Sequence, residues 1–135
     1  ILVEEGLEVR EIECGIIGKS KLLTSEIGEV KYESDWYDYD SKYNSNNKII
    51  IPAEIDPKIN KQIKEIAIQS CRALNIFGFA RVDFFLEKSS NRILLNEINT
   101  IPGFTKNSMF PMLWKASGLK IEQLVAKLVD ISLDL

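Results

Sequence analysis

Apolar and polar residues alternate early in the chain. In EIECGIIG, Ile12, Cys14 and Ile16 fall on one side of an extended backbone and Glu11 and Glu13 on the other, which predicts a strand. Residues 1–33 read as strands throughout: ILVEE as a short apolar one before Gly6, and KLLTSEIGEVKYE as a pair of strands around a turn. The pattern then breaks. From 34 to 51, SDWYDYDSKYNSNNKIII interleaves aromatic and acidic residues with neither period, and reads as a long loop returning through KIII.

Helical spacing takes over after Pro52. Asp56 stands as an N-cap with Pro57 at the first helical position. Ile59, Ile63, Ile66, Ala67, Ser70 and Leu74 recur at helical intervals, which predicts a helix to about Asn75. GFARVDFFLE (78–87) and RILLNEIN (92–99) read as two strands joined by the turn KSSN. Two closing helices are predicted. One covers Ser108–Ser117 with Gly118 as its stop, and the other Ile121–Ser132, where Leu124, Val125, Leu128, Val129 and Ile131 are apolar.

The hairpin carries the candidate chemistry. With its turn centred near Ser90, Asp83 lies opposite Glu97 and Arg81 opposite Asn99, so all four project from one face, beside Phe85, Ile93 and Leu95. Two carboxylates and an amide oxygen suit Mg²⁺, a hard ion that takes a few carboxylates plus water and phosphate oxygens. Arg81 beside them can hold a phosphoryl group or an oxyanion. The same residues also read as an Asp–Arg and Glu–Asn network on a solvated sheet face, and pattern alone leaves both readings standing.

Composition narrows the chemistry further. At 135 residues, with 45% hydrophobic and 27% charged, the chain can build a core of its own. A net charge of −3 argues against sequence-independent binding of nucleic acid. Histidine is absent, which removes Ser-His-Asp and Cys-His catalysis and imidazole metal sites from this chain. The two cysteines, Cys14 and Cys71, have no CxxC spacing and read as buried free thiols of a cytoplasmic protein, with a disulfide between them left open by the sequence. No apolar run is long enough to cross a membrane. The start, ILVEEGLEVREIE, reads as a chain entered in mid-domain.

EINTIPGFT, GFARVDFF, YDYDSKY and SMFPMLWKASGL together resemble the C-terminal half of the D-alanine–D-alanine ligases of the ATP-grasp superfamily, over essentially the whole chain. The resemblance implies an α+β fold: the ATP-grasp C-terminal domain, a mainly antiparallel sheet flanked by helices, with 34–51 as a mobile active-site loop. It implies that ATP phosphorylates one D-alanine and that the amine of a second attacks the acyl phosphate, for peptidoglycan synthesis. Residue by residue, Glu4, Glu5 and Leu7 match a hinge strand that holds adenine, and Glu11 the ribose ligand. Tyr37, Lys42 and Tyr43 match the closing loop, with Lys42 reaching the γ-phosphate. Asp83, Glu97 and Asn99 match ligands of Mg²⁺, with Mn²⁺ as a substitute. Arg81 matches the arginine on the transferred phosphoryl group, and the Gly103 N–H an oxyanion donor. Ser108 and Met109 match the pair that receives the second D-alanine's carboxylate. Trp36 is expected to anchor the loop and Trp114 to lie in the core.

YDYDSKY without histidine favours an amine over D-lactate as second substrate, with D-serine left open. The N-terminal substrate domain and the first part of the ATP lid have no match here. The isolated chain is therefore expected to be inactive and to depend on the remainder of the same polypeptide, in a parent expected to be a homodimer. The competing readings are another ATP-grasp carboxylate–amine ligase, a carboxylase, and a non-catalytic nucleotide-binding module.

Overall fold

The structure, a computed structural model, describes residue 1 and residues 3–32 and 48–133. Five antiparallel strands form one sheet: β1 (Val9–Gly18), β2 (Leu22–Lys31), β3 (Lys48–Ile50), β4 (Gly78–Glu87) and β5 (Ile93–Asn99). Their order across the sheet is β3-β2-β1-β4-β5. Three helices flank it: α1 (Pro57–Ala73), α2 (Met109–Ala116) and α3 (Ile121–Leu133). None of the described helices is long and apolar enough to cross a membrane.

The β1 alternation holds as expected. Ile12, Cys14 and Ile16 join Val82, Phe84 and the α1 residues Ile63, Ala67 and Cys71 in one buried cluster. α1 starts where the sequence sets it: Asp56 accepts the Lys58 N–H at 2.7 Å, and Pro57 needs no partner for its missing N–H. Its stripe is rotated from the expected one, with Cys71 buried and Leu74 64% exposed beyond the last turn.

The opposite sheet face is divided. At one end Ile17 and Phe79 pack beneath Phe110, Trp114 and Leu124 of α2 and α3, with four aromatic rings in mutual contact. Trp114 is therefore core, as expected. Farther along the same face, outside that cluster, stand the charged residues Glu13 of β1, Arg81 and Asp83 of β4 and Glu97 of β5.

Three expectations change. The described residues of ILVEE form no strand: β1 begins at Val9, because its neighbour β4 ends at Glu87 and pairing runs out with the Lys88 N–H to Glu8 carbonyl bond. The described residues of KLLTSEIGEVKYE hold one strand, Leu22–Lys31, not two. Gly28 supplies close approach rather than a turn, since a Cβ there would stand 2.8 Å from Leu113 Cδ2 and 3.0 Å from Met109 Sδ of α2. The register slip is absorbed by a bulge in which Ser25 and Glu26 face Gly15, with Ser25 Oγ accepting the Gly15 N–H at 2.8 Å. The third change lies in β5 and shapes the site.

Candidate functional site

β4 and β5 pair as the hairpin predicts where it matters: Asp83 lies opposite Glu97, and Arg81 opposite Asn99. Nearer the turn the register differs by one, with Phe84 opposite Leu95 and Leu86 opposite Ile93. Asn96 is thus an extra residue, a β-bulge. Had the turn-side register continued, Asp83 would face Asn96, and Glu97 would point to the α1 side. The bulge lets one strand send Ile93 into the α1 core and Glu97 to the open face. Ile93 and Leu95 are therefore not neighbours of Glu97 on that face, contrary to the uniform register expected from sequence.

The neighbouring strand adds a residue that sequence reasoning missed. Glu13 of β1 pairs with Asp83, so Glu13, Asp83 and Glu97 form one row across three strands. Arg81 lies in the next row and reaches over it. Its Nε and Nη2 donate to the two Asp83 oxygens at 2.7 and 2.6 Å, and Nε lies 2.9 Å from Glu13 Oε2. The Nε–H points at Asp83, so the Glu13 contact is an ion pair without hydrogen-bond alignment, and the buried Oε2 has no hydrogen-bond partner among the described residues. Burial, then repulsion from Asp83, pushes the Glu13 carboxyl up to about 7, against the pull of Arg81. The hydrogen bonds to Asp83 hold the Arg81 guanidinium above its already high value. The signal for Glu13 was its place on the polar face of β1, but only the strand order sets β1 beside β4.

This donor set fits a hard cation. Three carboxylates face one guanidinium, Glu97 is exposed at the open edge, and a buried carboxylate oxygen lacks a hydrogen bond. Asn99 Oδ1 accepts the Ile101 N–H at 3.0 Å, which orients the amide and leaves a second lone pair. Among the described residues no three His, Cys, Asp or Glu side chains form a metal cage by themselves, so the amide and outside oxygens are needed to complete one.

The remaining expected residues fall in three places. Leu7 and Glu11 line a cleft of about 480 Å³ with Val30, Tyr32 and Lys88, where the Tyr32 hydroxyl donates to Glu11 Oε2 at 2.8 Å. Glu4 and Glu5 are exposed in the irregular lead-in, outside that cleft. Gly103 and Ser108 come together past the hairpin: a Cβ on Gly103 would stand 3.0 Å from Ser108 Oγ. Ser108 occupies the N-cap position of α2 without capping it through its side chain. Its hydroxyl instead accepts the Thr105 N–H at 3.0 Å and meets Thr105 Oγ1 at 2.9 Å, folding the PGFT loop onto the helix start. Met109 is buried against Gly28, so what it can offer a ligand is its backbone. Tyr37, Lys42, Tyr43 and Trp36 lie outside the described residues.

A family model described as D-ala D-ala ligase C-terminus matches residues 1–130. The chain belongs to that family. The D-alanine--D-alanine ligase of Prochlorococcus marinus (strain MIT 9301) is 91% identical over 135 residues, all of this chain and 38% of that protein. The ligase of strain NATL2A is 54% identical over 133 residues, 98% of this chain and again 38% of its own length. The chain thus spans well under half of the curated relatives it matches. Among solved structures, the D-Ala:D-Ser ligase VanG from Enterococcus faecalis superposes with a TM-score of 0.82 at 38% identity, over 94% of this chain and 37% of that one. The D-alanine-D-alanine ligase from Coxiella burnetii gives 0.83 at 35% identity, over 97% and 34%. The ATP-grasp fold expected from the sequence is the one the family shares.

Proposed function

We propose that this chain is the ATP-, Mg²⁺- and second-substrate-binding part of a D-alanine–D-alanine ligase. One observation carries the reading: the register-matched Asp83–Glu97 pair, with Arg81 and Asn99 beside it on the sheet face opposite α1, in a chain of this family. The whole protein would join two D-alanines through an acyl phosphate, converting ATP to ADP and phosphate, in the cytoplasm, for the cell wall. It would do so with the remainder of its own polypeptide and as a homodimer.

Each residue has a task in this scheme. Leu7 backbone groups and Glu11, which share one cleft, hold adenine and ribose. Asp83, Glu97 and Asn99 hold Mg²⁺, which neutralises phosphate charge when bound. Arg81 supplies a fixed positive charge where the phosphoryl group is transferred. Gly103, an exposed residue, offers its N–H to the reacting carbonyl oxygen, and Ser108 with the α2 N-terminus favours the carboxylate of the second D-alanine. Tyr37, Lys42 and Tyr43 belong to a loop that closes over the site and excludes water.

D-Serine as second substrate is the competing reading, favoured by the likeness to the D-Ala:D-Ser ligase. One assay separates the two. The full-length protein is given ATP, Mg²⁺ and D-alanine, then L-alanine, D-lactate or D-serine in its place or as partner. Phosphate release that saturates with D-alanine alone is expected, and Asp83→Ala or Glu97→Ala should abolish it. Turnover unchanged by either substitution would refute the ligand assignment.

A further inference from the structure

The proposed roles leave one conflict among the site's charges. The metal needs Asp83, yet Arg81 already occupies both Asp83 oxygens. Each Asp83 oxygen keeps a second lone pair, but a divalent cation there would stand beside the guanidinium, and repulsion between the two cations favours the release of Arg81. The guanidinium side chain is only 19% exposed, and a charge so placed needs an anion. Glu13 is the other carboxylate within reach. Its Oε2 lies 2.9 Å from Nε, is buried, and has no hydrogen bond to lose by accepting one. β1 is held between β2 and β4, so this carboxylate sits on a rigid strand.

We infer that Glu13 is a positioning residue for the ligation reaction: it takes over the Arg81 guanidinium when Asp83 turns to the metal, and so keeps that charge at the phosphoryl site. The step exchanges one ion pair for another and breaks no covalent bond. Glu13 acts through Arg81 and touches neither metal nor substrate. The exchange rests on the proposed assignment of Asp83 to the metal and the role in catalysis on the proposed ligase reading; the geometry supplies the two contacts of Arg81.

The test is a double-mutant cycle in the full-length protein that carries this chain, read by Mn²⁺ affinity from the electron paramagnetic resonance of the free ion. With Arg81 present, Glu13→Gln is expected to weaken Mn²⁺ binding about tenfold, because Asp83 can no longer be released cheaply. In an Arg81→Met background the same substitution should change affinity by less than about threefold, the effect of one lost charge at a distance. Equal weakening in both backgrounds would make Glu13 a ligand or a field charge, and no weakening in either would show that Arg81 does not need it. Either result overturns the inference. Glu13→Asp keeps the charge and should recover part of the affinity; it carries the same cycle should the glutamine variant not fold. In turnover, Glu13→Gln should lower kcat about tenfold with KM for D-alanine nearly unchanged. The ligase reading fails separately, if wild type binds Mn²⁺ but releases no phosphate with ATP and D-alanine; the metal cycle stays readable in that case.

Discussion

Two arginines on opposite faces of this sheet make nearly the same bond and serve different ends. On the α1 face, Arg10 donates Nε and Nη2 to the two Glu29 oxygens at 2.8 and 2.7 Å, and Nη2 also reaches the Glu54 carbonyl at 2.9 Å. On the other face Arg81 grips Asp83 at 2.7 and 2.6 Å. The difference is in what surrounds them. Glu29 is 1% exposed, with Lys31 4.0 Å from the same oxygen that Nη2 holds, so cations match or outnumber the carboxylate. Around Arg81 the balance is reversed, with Glu13 and Glu97 in the same row as Asp83 and a buried oxygen left over. A buried bidentate pair is by itself no sign of function; surplus charge and an unsatisfied atom beside it are. The Arg10 pair fastens β1 and β2 to the segment that leads into α1. The Arg81 pair is one that a cation can displace.

The contrast can be broken or sharpened by substitution. Arg10→Met should cost the most, about 3–5 kcal/mol in denaturant unfolding, because it strands a buried carboxylate. A loss below about 1 kcal/mol would remove the structural role given to that pair. Glu29→Gln should cost less, about 1–3 kcal/mol, since the amide still fills the space but accepts at one oxygen only. Glu13→Gln should have the opposite sign. It relieves the crowding that pushes this carboxyl up to about 7, so at neutral pH the metal-free protein should gain stability, by less than about 1 kcal/mol. If Glu13→Gln and Glu29→Gln destabilise alike, the two clusters do not differ as described. The smallest effect is an absence of reaction. Cys14, wholly buried on the same sheet face as the Arg10 pair, has its thiol pushed up to about 12 by burial, and burial raises Cys71 too. Iodoacetamide at about pH 8 should modify neither thiol in the folded chain and both in denaturant.

These comparisons also mark where sequence reading was sufficient. The 2.0 and 3.6 periods placed β1, α1, β4, β5, α2 and α3, because each buries one side and the chain must show that side in its alternation. The pairing of Asp83 with Glu97 matched the expectation only because the Asn96 bulge offsets the turn, whose own register would set Asp83 against Asn96. The lead-in ILVEE misled because a strand needs a neighbour as well as a pattern, and β4 ends before reaching it. KLLTSEIGEVKYE misled because Gly28 looks the same in sequence whether it makes a turn or admits a helix.

The chain by itself determined which residue types face each way along a strand, where α1 is capped, and that two carboxylates, an amide and one arginine belong to the two strands of one hairpin. Those follow from local geometry, which acts over a few residues. Tertiary structure alone decided that β1 lies beside β4, and so that Glu13 joins Asp83. It decided that Asn96 bulges to satisfy the α1 core and the site at once, and that of two arginines one is saturated and the other contested. Those depend on which strands become neighbours and on what covers each face, and no period in the sequence carries that information.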